Sequence, residues 1–127
     1  MRSETVGNVT LRFEAPDVLH MTWRKSFGAS EAAALLAFTN ALRADHARLV
    51  FYIDVEYATG IDARSRKQIA ELTKAKAFAA TAIVGATVPI RVAVETIVNA
   101  ARLVAPIAPT RFFDDDPSAR AWLASLR

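Results

Sequence analysis

The chain has 127 residues, of which 53% are hydrophobic and 23% charged, so we expect one domain with a single core over residues 1–127. It contains no cysteine, which excludes disulfides, thiol catalysis and cysteine-ligated metals, and its two histidines exclude an imidazole-rich metal site. The formal net charge is only +3, and the basic residues are scattered rather than gathered into a stripe. The sequence therefore predicts no nucleic-acid binding.

No segment of the chain has the pattern of a signal peptide or a membrane span. Residues 1–9 are polar and lack an apolar stretch, and the longest apolar-rich stretch, residues 78–94, is interrupted by Gly85, Pro89 and Arg91. The predicted location is therefore the cytoplasm.

Alternating apolar and polar residues at the start of the chain predict a β-hairpin. Residues 9–14 and 19–24 alternate in this way on either side of a proline-containing turn. The first helix is predicted from Ser30 to His46. The hydroxyl of Ser30 can cap the free amides of the first turn. Apolar residues at three- and four-residue spacing mark its buried side.

The rest of the chain alternates strands with helices. The predicted elements are a buried strand at residues 49–53 that ends in Asp54, a polar loop through Gly60, a helix from Asp62 to about Lys76, a strand at 80–84, a helix from Pro89 to Pro106, a strand at 110–113 and a helix opened by Asp116-Pro117. The nearly continuous apolar strands are typical of a sheet covered on both faces.

This order of elements predicts an α/β fold. Buried strands joined through a helix lie parallel by a right-handed crossover, whereas the first two strands form an antiparallel hairpin. The predicted architecture is a single domain with a mixed, mainly parallel sheet of about five strands, an N-terminal β-hairpin and four helices.

Two helix starts that follow parallel strands form the predicted binding edge. In open α/β sheets, ligands bind beyond the carboxyl ends of the strands, and here both helices carry an arginine in the first turn, Arg64 and Arg91. Cations are unfavourable at a helix N-terminus. The arginines therefore point to an anionic ligand or an acidic partner, at an edge that also includes Tyr57, Thr59 and Asp62.

Each of these features also has an ordinary structural explanation. Arg64 can pair with an acidic neighbour, Asp62 or Glu56, and Arg91 can pair with Glu95 four residues on.

The three aspartates at residues 114–116 either hold magnesium or cap the last helix, and a cap is favoured because a proline follows them directly. The sequence has no glycine-rich phosphate motif and no nucleophile paired with a base, so we expect no cofactor, no metal and no catalytic residue.

The segment from Asp54 to Arg66 resembles the STAS family, the domain of sulfate transporters and bacterial anti-sigma factor antagonists. In that family a buried strand ends in an aspartate and an Ile-Asp-Ser-Ser-like segment opens the next helix, to which Ile53-Asp54 and Ile61-Asp62-Ala63-Arg64 are similar. The family's phosphorylatable serine falls on Ala63. Alanine has no hydroxyl, so the phosphoswitch cannot operate at that position.

The last third of the chain resembles small, free-standing STAS-like proteins, whose fold is related to the CRAL-TRIO lipid-binding domain. The similar segments are Ala82-Ile83-Val84-Gly85, Arg111-Phe112-Phe113 and the ending Ala119-Arg120-Ala121-Trp122-Leu123. The resemblance implies a β/α superhelix and a binding role rather than a catalytic one, toward an apolar or anionic small molecule.

Three functions follow from these observations and stay open. The first is a non-enzymatic, regulatory STAS-like module that binds a small anionic or apolar ligand or a protein partner through Tyr57, Thr59, Asp62, Ala63, Arg64 and Arg91. The second is a carrier of lipids or other amphipathic ligands, in which Val88, Val92 and Leu103 line an apolar pocket or, instead, the seam of a homodimer. The third is a phosphorylation-independent anti-sigma factor antagonist.

Overall fold

The chain folds into a six-stranded sheet with helices on both faces. The computed structural model describes residues 3–74, 77–104 and 106–127. The strands are β1 (Ser3–Val6), β2 (Val9–Glu14), β3 (Val18–Phe27), β4 (Val50–Ile61), β5 (Thr81–Val84) and β6 (Thr110–Phe113), and the helices are α1 (Ala29–Asp45), α2 (Ala63–Lys74), α3 (Val88–Arg102) and α4 (Asp116–Ser125). Among the described residues, no helix is long and apolar enough to cross a membrane.

The strand order in the sheet follows the order in the sequence, from β1 at one edge to β6 at the other. β1, β2 and β3 pair antiparallel, whereas β3, β4, β5 and β6 pair parallel. The parallel strands are connected through α1, α2 and α3, which pack on one face of the sheet, while α4 packs on the other. This mainly parallel sheet with four helices confirms the predicted α/β fold.

One strand of the sheet, β1, is absent from the prediction of about five strands. Three of its four side chains are exposed, so it has no apolar alternation that marks it as a strand. Its place in the sheet comes from backbone pairing with β2 across the turn at Gly7, which has a left-handed φ of 55°.

The two faces of the sheet have hydrophobic cores of different size. The larger core lies under α1, α2 and α3 and contains fully buried side chains such as Leu11, Phe38 and Ile83. The smaller core lies under α4, where Ala119 and Leu123 pack on strand residues. At the edge of this smaller core, Trp122 packs against Phe113.

The caps of two helices differ from the prediction, by two residues in α1 and by one in α4. Helix α1 begins at Ala29 with Gly28 rather than Ser30 in the cap position, and the Glu31 carboxylate accepts a hydrogen bond from the Gly28 amide. Helix α4 is capped by Asp115, whose Oδ1 accepts a hydrogen bond from the Ser118 amide at 2.8 Å. Its predicted cap, Asp116, is instead the first helical residue. The predicted end of the second helix, at residues 75–76, lies outside the described residues.

The predicted polar loop through Gly60 is wrong, because β4 continues past Asp54 to Ile61. The partner strand β3 has 10 residues against 12 in β4 and runs beside it to its end, where Arg24 pairs with Tyr57 and Phe27 with Ile61. Register shifts on the β4 side insert extra residues and break the alternation of inward and outward side chains. For that reason the segment has the sequence pattern of a loop although its backbone is a strand.

Candidate functional site

Helix α2 begins at the far end of β4, and its own aspartate occupies its N-terminus. Asp62 Oδ1 accepts a hydrogen bond from the Ser65 amide at 2.7 Å, which confirms the predicted cap. This bond lowers the pKa of Asp62 below its ordinary value. Ala63 is the first residue of the helix, and Arg64 next to it is exposed. Among the described residues, Arg64 lies within salt-bridge distance of neither Asp62 nor Glu56.

The start of α1 lies beside the start of α2 and is also occupied by a carboxylate. Glu31 accepts hydrogen bonds from the amides of Asn8 and Gly28, each at 2.9 Å, and these bonds hold its pKa below the ordinary value. A Cβ on Gly28 would lie 3.3 Å from Asp62 Oδ2, so the two helix starts are adjacent. The chain's own carboxylates therefore already lie at both helix starts, where they disfavour a second anion.

The other predicted arginine, Arg91, already has partners at the start of α3. Its Nε donates to Glu95 Oε1 at 3.0 Å, and its guanidinium lies 4.6 Å from the centre of the Phe112 ring. The pairing with Glu95 is the ordinary explanation given above. Arg91 is thus placed by contacts within the chain.

The predicted edge residues do not gather at one place. β5 ends beside Asp54, and the turn that follows packs on β4 at Glu56, where a Cβ on Gly85 would lie 3.2 Å from the Glu56 Cβ. Helix α2 begins after Ile61, which lies about 17 Å beyond Glu56 along the strand at roughly 3.3 Å per residue. Tyr57 and Thr59 are exposed on β4 between these two points.

An apolar cavity of about 80 Å³ lies between the sheet, α2 and α3. Among the described residues that line it, only Thr81 and Thr110 have a side-chain hydroxyl or other strongly polar group. The lining consists of Met21, Trp23, Leu35, Phe51, Ile53, Ile61, Ile69, Leu72, Ala77, Phe78, Thr81, Ile83, Val94, Ile97, Val98, Ala108 and Thr110. An apolar space of the kind that the carrier alternative requires therefore lies under α3.

The residues that were expected to line this pocket do not do so. Val88, Val92 and Leu103 are 76%, 58% and 90% exposed. Helix α3 instead contributes Val94, Ile97 and Val98 to the cavity. At 3.6 residues per turn the two sets lie on opposite sides of the helix, so the first set forms an apolar stripe on its outer surface.

A polar groove of about 320 Å³ adjoins the cavity between α3 and β6. The groove and the cavity share Val98 and Thr110. The remaining groove residues are Glu95, Asn99, Arg102 and Phe112. Arg102 is exposed and makes one hydrogen bond, from Nη1 to Asn99 Oδ1 at 3.4 Å, with no carboxylate within salt-bridge distance among the described residues.

A polar cluster on the opposite face of the sheet joins α4 to β2 and β4. Arg120 binds both oxygens of Glu14 at 2.8 and 3.1 Å and Asp116 Oδ1 at 3.1 Å. The Tyr52 hydroxyl donates to Asp116 Oδ1 at 2.6 Å, and the His20 ring stacks on Tyr52. Sequence reasoning missed this cluster, because its members are 64 and 106 residues apart and belong to no motif.

The side chains of this polar cluster form ion pairs and hydrogen bonds, and these contacts and burial shift their pKa values. Burial raises the pKa of the Tyr52 phenol, and the bond to Asp116 raises it further, so the phenol stays protonated. The pKa of Asp116 is lowered by the bond from Tyr52 and by Arg120. Burial lowers the pKa of His20, and the nearby Arg12 adds to this. Among the described residues, no group of three acidic or histidine side chains could hold a metal ion.

The arrangement of strands and helices is similar to that of two solved structures. One is an uncharacterized DUF3478-family protein with a SpoIIAA-like fold from Shewanella loihica PV-4, at 20% identity and a TM-score of 0.66, with 97% of this chain and 98% of that one covered. The other is the anti-sigma factor antagonist SpoIIAA in its unphosphorylated form, at 9% identity and a TM-score of 0.64, with 92% and 97% covered.

The chain has a SpoIIAA-like fold. This confirms the fold implied by the STAS-like resemblance. No family model and no curated protein matches the chain. At these identities the likeness extends to the fold, and the function is argued from the residues.

Proposed function

We propose that the protein is a non-enzymatic binding module for a small amphipathic molecule, whose apolar part lies in the cavity and whose anionic end lies in the groove beside Arg102. The observation that carries this proposal is that, among the described residues, a mainly apolar cavity shares two lining residues with a polar groove whose cation, Arg102, has no carboxylate within salt-bridge distance. Together the two spaces reach the lower end of the range of roughly 300–1,000 Å³ that is typical of small-molecule sites.

The ligand chemistry follows from the lining. An apolar chain in the cavity would remove apolar surface from water and leave few hydrogen bonds unmade, since the described part of the lining carries two threonine hydroxyls and is otherwise mainly apolar. A carboxylate or phosphate end would find a guanidinium in the groove. The anionic site first predicted at the starts of α2 and α3 is less favourable, because Asp62 accepts a hydrogen bond from the Ser65 amide at the start of α2 and Glu95 pairs with Arg91 at the start of α3.

Octanoate binding, measured by isothermal titration calorimetry, tests the proposal. Val94→Phe places a ring in the cavity, and Val92→Phe adds the same ring on the outer side of the same helix. At about 24 cal/mol per Å³, filling 80 Å³ corresponds to about 2 kcal/mol. We therefore expect Val94→Phe to weaken binding by roughly 30-fold, and Val92→Phe to leave it unchanged. A second variant, Ala108→Leu, fills the cavity from the other side and should also weaken binding.

The anionic end is tested separately with Arg102→Gln. Removal of one exposed cation should weaken octanoate binding by up to about fivefold and leave octanol binding unchanged. Arg64→Gln is the matched control, an exposed arginine at the start of α2. Equal loss for octanoate and octanol would contradict the role of Arg102, and absence of binding by both probes would contradict the proposal.

A second candidate is a regulatory interaction module with a protein partner, which the SpoIIAA-like fold supports in general terms. It is favoured by the exposed side chains of Tyr57, Val88 and Val92, which are 62%, 76% and 58% accessible. With Ala63 at the position of the family's serine, such a module would act as a phosphorylation-independent antagonist. The cytoplasm is the location proposed for either function.

A further inference from the structure

Two threonines lie side by side where the apolar cavity meets the polar groove. Thr81 of β5 and Thr110 of β6 are paired in the parallel ladder, so their side chains lie on the same face of the sheet, on strands roughly 4.8 Å apart. Both line the cavity, and Thr110 also lines the groove that contains Arg102. A ligand that extends from the groove into the cavity therefore passes these two hydroxyls.

The two hydroxyls have unused hydrogen-bonding capacity. Thr110 Oγ1 donates to the carbonyl of Ala108 at 3.5 Å, which is long for such a bond. The Thr81 hydroxyl has no such partner among the described residues. A threonine hydroxyl has one donor and two acceptor positions. Both side chains are half-buried, so a purely apolar ligand would separate them from water and leave these positions unsatisfied.

We propose that the ligand carries a hydroxyl group close to its anionic end, as in a 3-hydroxy acid, and that this hydroxyl bonds to Thr110 and Thr81. The inference rests on the proposed function and specifies the class of ligand. With the carboxylate beside Arg102 and the alkyl chain in the cavity, the carbon atoms between them lie at the junction of the two spaces. In a 3-hydroxy acid only one carbon atom separates the carboxyl carbon from the carbon that bears the hydroxyl, so the hydroxyl lies in this short segment.

The charges around the groove favour a neutral polar group at this position. Glu95 lines the groove and pairs with Arg91, and it would repel a second anionic group. Arg102 would repel an ammonium group in the same way. A hydroxyl both donates and accepts, so it can complement two threonines whose hydroxyls do the same.

The gain in affinity should be moderate, because the threonines are only half-buried. One net hydrogen bond changes a binding constant by a factor of roughly 2 to 12. We therefore expect 3-hydroxyoctanoate to bind about fivefold more tightly than octanoate. Because the two hydroxyls have fixed positions on the sheet, one enantiomer of 3-hydroxyoctanoate should account for this gain.

The position of the ligand's hydroxyl provides a first control. 8-Hydroxyoctanoate contains the same atoms as 3-hydroxyoctanoate but carries its hydroxyl at the far end of the chain, where the lining of the cavity is apolar. It should bind more weakly than octanoate, since its hydroxyl loses water and gains no partner. Tighter binding of both hydroxy acids would indicate a general effect of polarity and would contradict the role of the threonines.

Isothermal titration calorimetry on threonine variants tests the contact itself. Thr110→Val replaces the hydroxyl with a methyl group, and the ratio of 3-hydroxyoctanoate affinity to octanoate affinity should fall from about five to about one. Thr81→Val should lower the same ratio, and it provides the measurement if Thr110→Val does not fold. Thr96→Val is the matched control, because Thr96 is exposed on α3, bonds to the Val92 carbonyl and lines neither space, so the ratio should stay at the wild-type value.

The outcomes separate this inference from the proposed function. Octanoate binding without a preference for either enantiomer of 3-hydroxyoctanoate would overturn the inference and leave the proposed function in place. A preference that persists in both Thr110→Val and Thr81→Val would do the same. If neither octanoate nor 3-hydroxyoctanoate binds, the proposed function is wrong and the inference falls with it.

Discussion

Replacement of Arg120 by methionine should destabilise the fold by about 2 kcal/mol. The guanidinium joins α4 to β2 through both oxygens of Glu14, pairs with Asp116 and lies 4.7 Å from the Tyr52 ring centre. Methionine keeps much of the apolar stem and removes the charge. The apolar contact of α4 with the sheet is small, so these polar bonds carry a large share of its attachment.

The magnitude follows from the exposure of the groups. The side chains of Arg120 and Glu14 are 36% and 24% exposed, so the bidentate pair should contribute about 1 kcal/mol, at the upper end for exposed pairs. The pair with Asp116 adds about 0.3–0.5 kcal/mol, and the contact with Tyr52 adds about 0.5–1 kcal/mol. For a chain of this length, a loss of about 2 kcal/mol corresponds to a decrease in Tm of roughly 8 °C.

Urea unfolding followed by circular dichroism measures this change. Arg102→Met is the control, because Arg102 makes a single weak hydrogen bond, and its effect should stay within about 0.5 kcal/mol. A cycle with Glu14→Gln should give a coupling of about 1 kcal/mol with Arg120→Met. If Arg120→Met costs no more than the control, the cluster does not hold α4 in place and the reasoning is refuted.

This contribution should depend on pH in the acid range. Burial alone would raise the pKa of Glu14, but the hydrogen bond and the charge of Arg120 bring it below its ordinary value, and the pKa of Asp116 is also lowered. A carboxylate with a lowered pKa in the folded state stabilises the fold above its ordinary pKa of about 4 and loses that effect below it. The difference between wild type and Arg120→Met should therefore be complete at neutral pH and shrink below about pH 4.

Three further substitutions test other parts of the structure. Burial lowers the pKa of His20 below its ordinary value of about 6.5, so the unfolded chain takes up its proton first as the pH falls. The wild type should therefore lose stability as the pH falls through about 6.5, and His20→Gln should lose less. Gly85→Ala should lower stability by about 1–2 kcal/mol, because Gly85 has a φ of 79° and lies against β4, whereas Gly60→Ala, with no atom within 4 Å of the new Cβ, should be neutral or stabilising. Asp62→Ala removes the cap of α2 and should lower the Tm, whereas Asp45→Ala at the end of α1 should not. If the two glycine variants had equal effects, or the two aspartate variants did, the assigned contacts would be wrong.

The order of strands and helices could be predicted because it depends on local pattern. The apolar run around Phe51, the spacing of Ile90 and Ile97, and the cap at Asp62 each reflect the burial or bonding of nearby residues. The continuation of β4 to Ile61 could not be predicted in this way, since it depends on pairing with a strand some 35 residues earlier and on register shifts that break the alternation.

The candidate site was predicted in part. An apolar pocket under α3 was expected, but its lining depends on the rotation of the helix, and the sequence leaves open which apolar residues face inward when Val88, Val92, Val94 and Val98 all occur within three turns. The groove beside Arg102 depends on the distance between α3 and β6, which no local pattern specifies. Likewise, the bond between Arg120 and Glu14 spans 106 residues and has no local signal.

A methyl-resolved NMR titration with octanoate tests the central claim most directly, because it reports at once whether a ligand binds and where. The proposal predicts saturable shifts of the methyl signals of Ile83 and Ile97 in the cavity, with little change at Val88 and Val92 on the outer side of α3. Shifts confined to the outer valines, or no saturable shift at any methyl group, would contradict binding in the cavity.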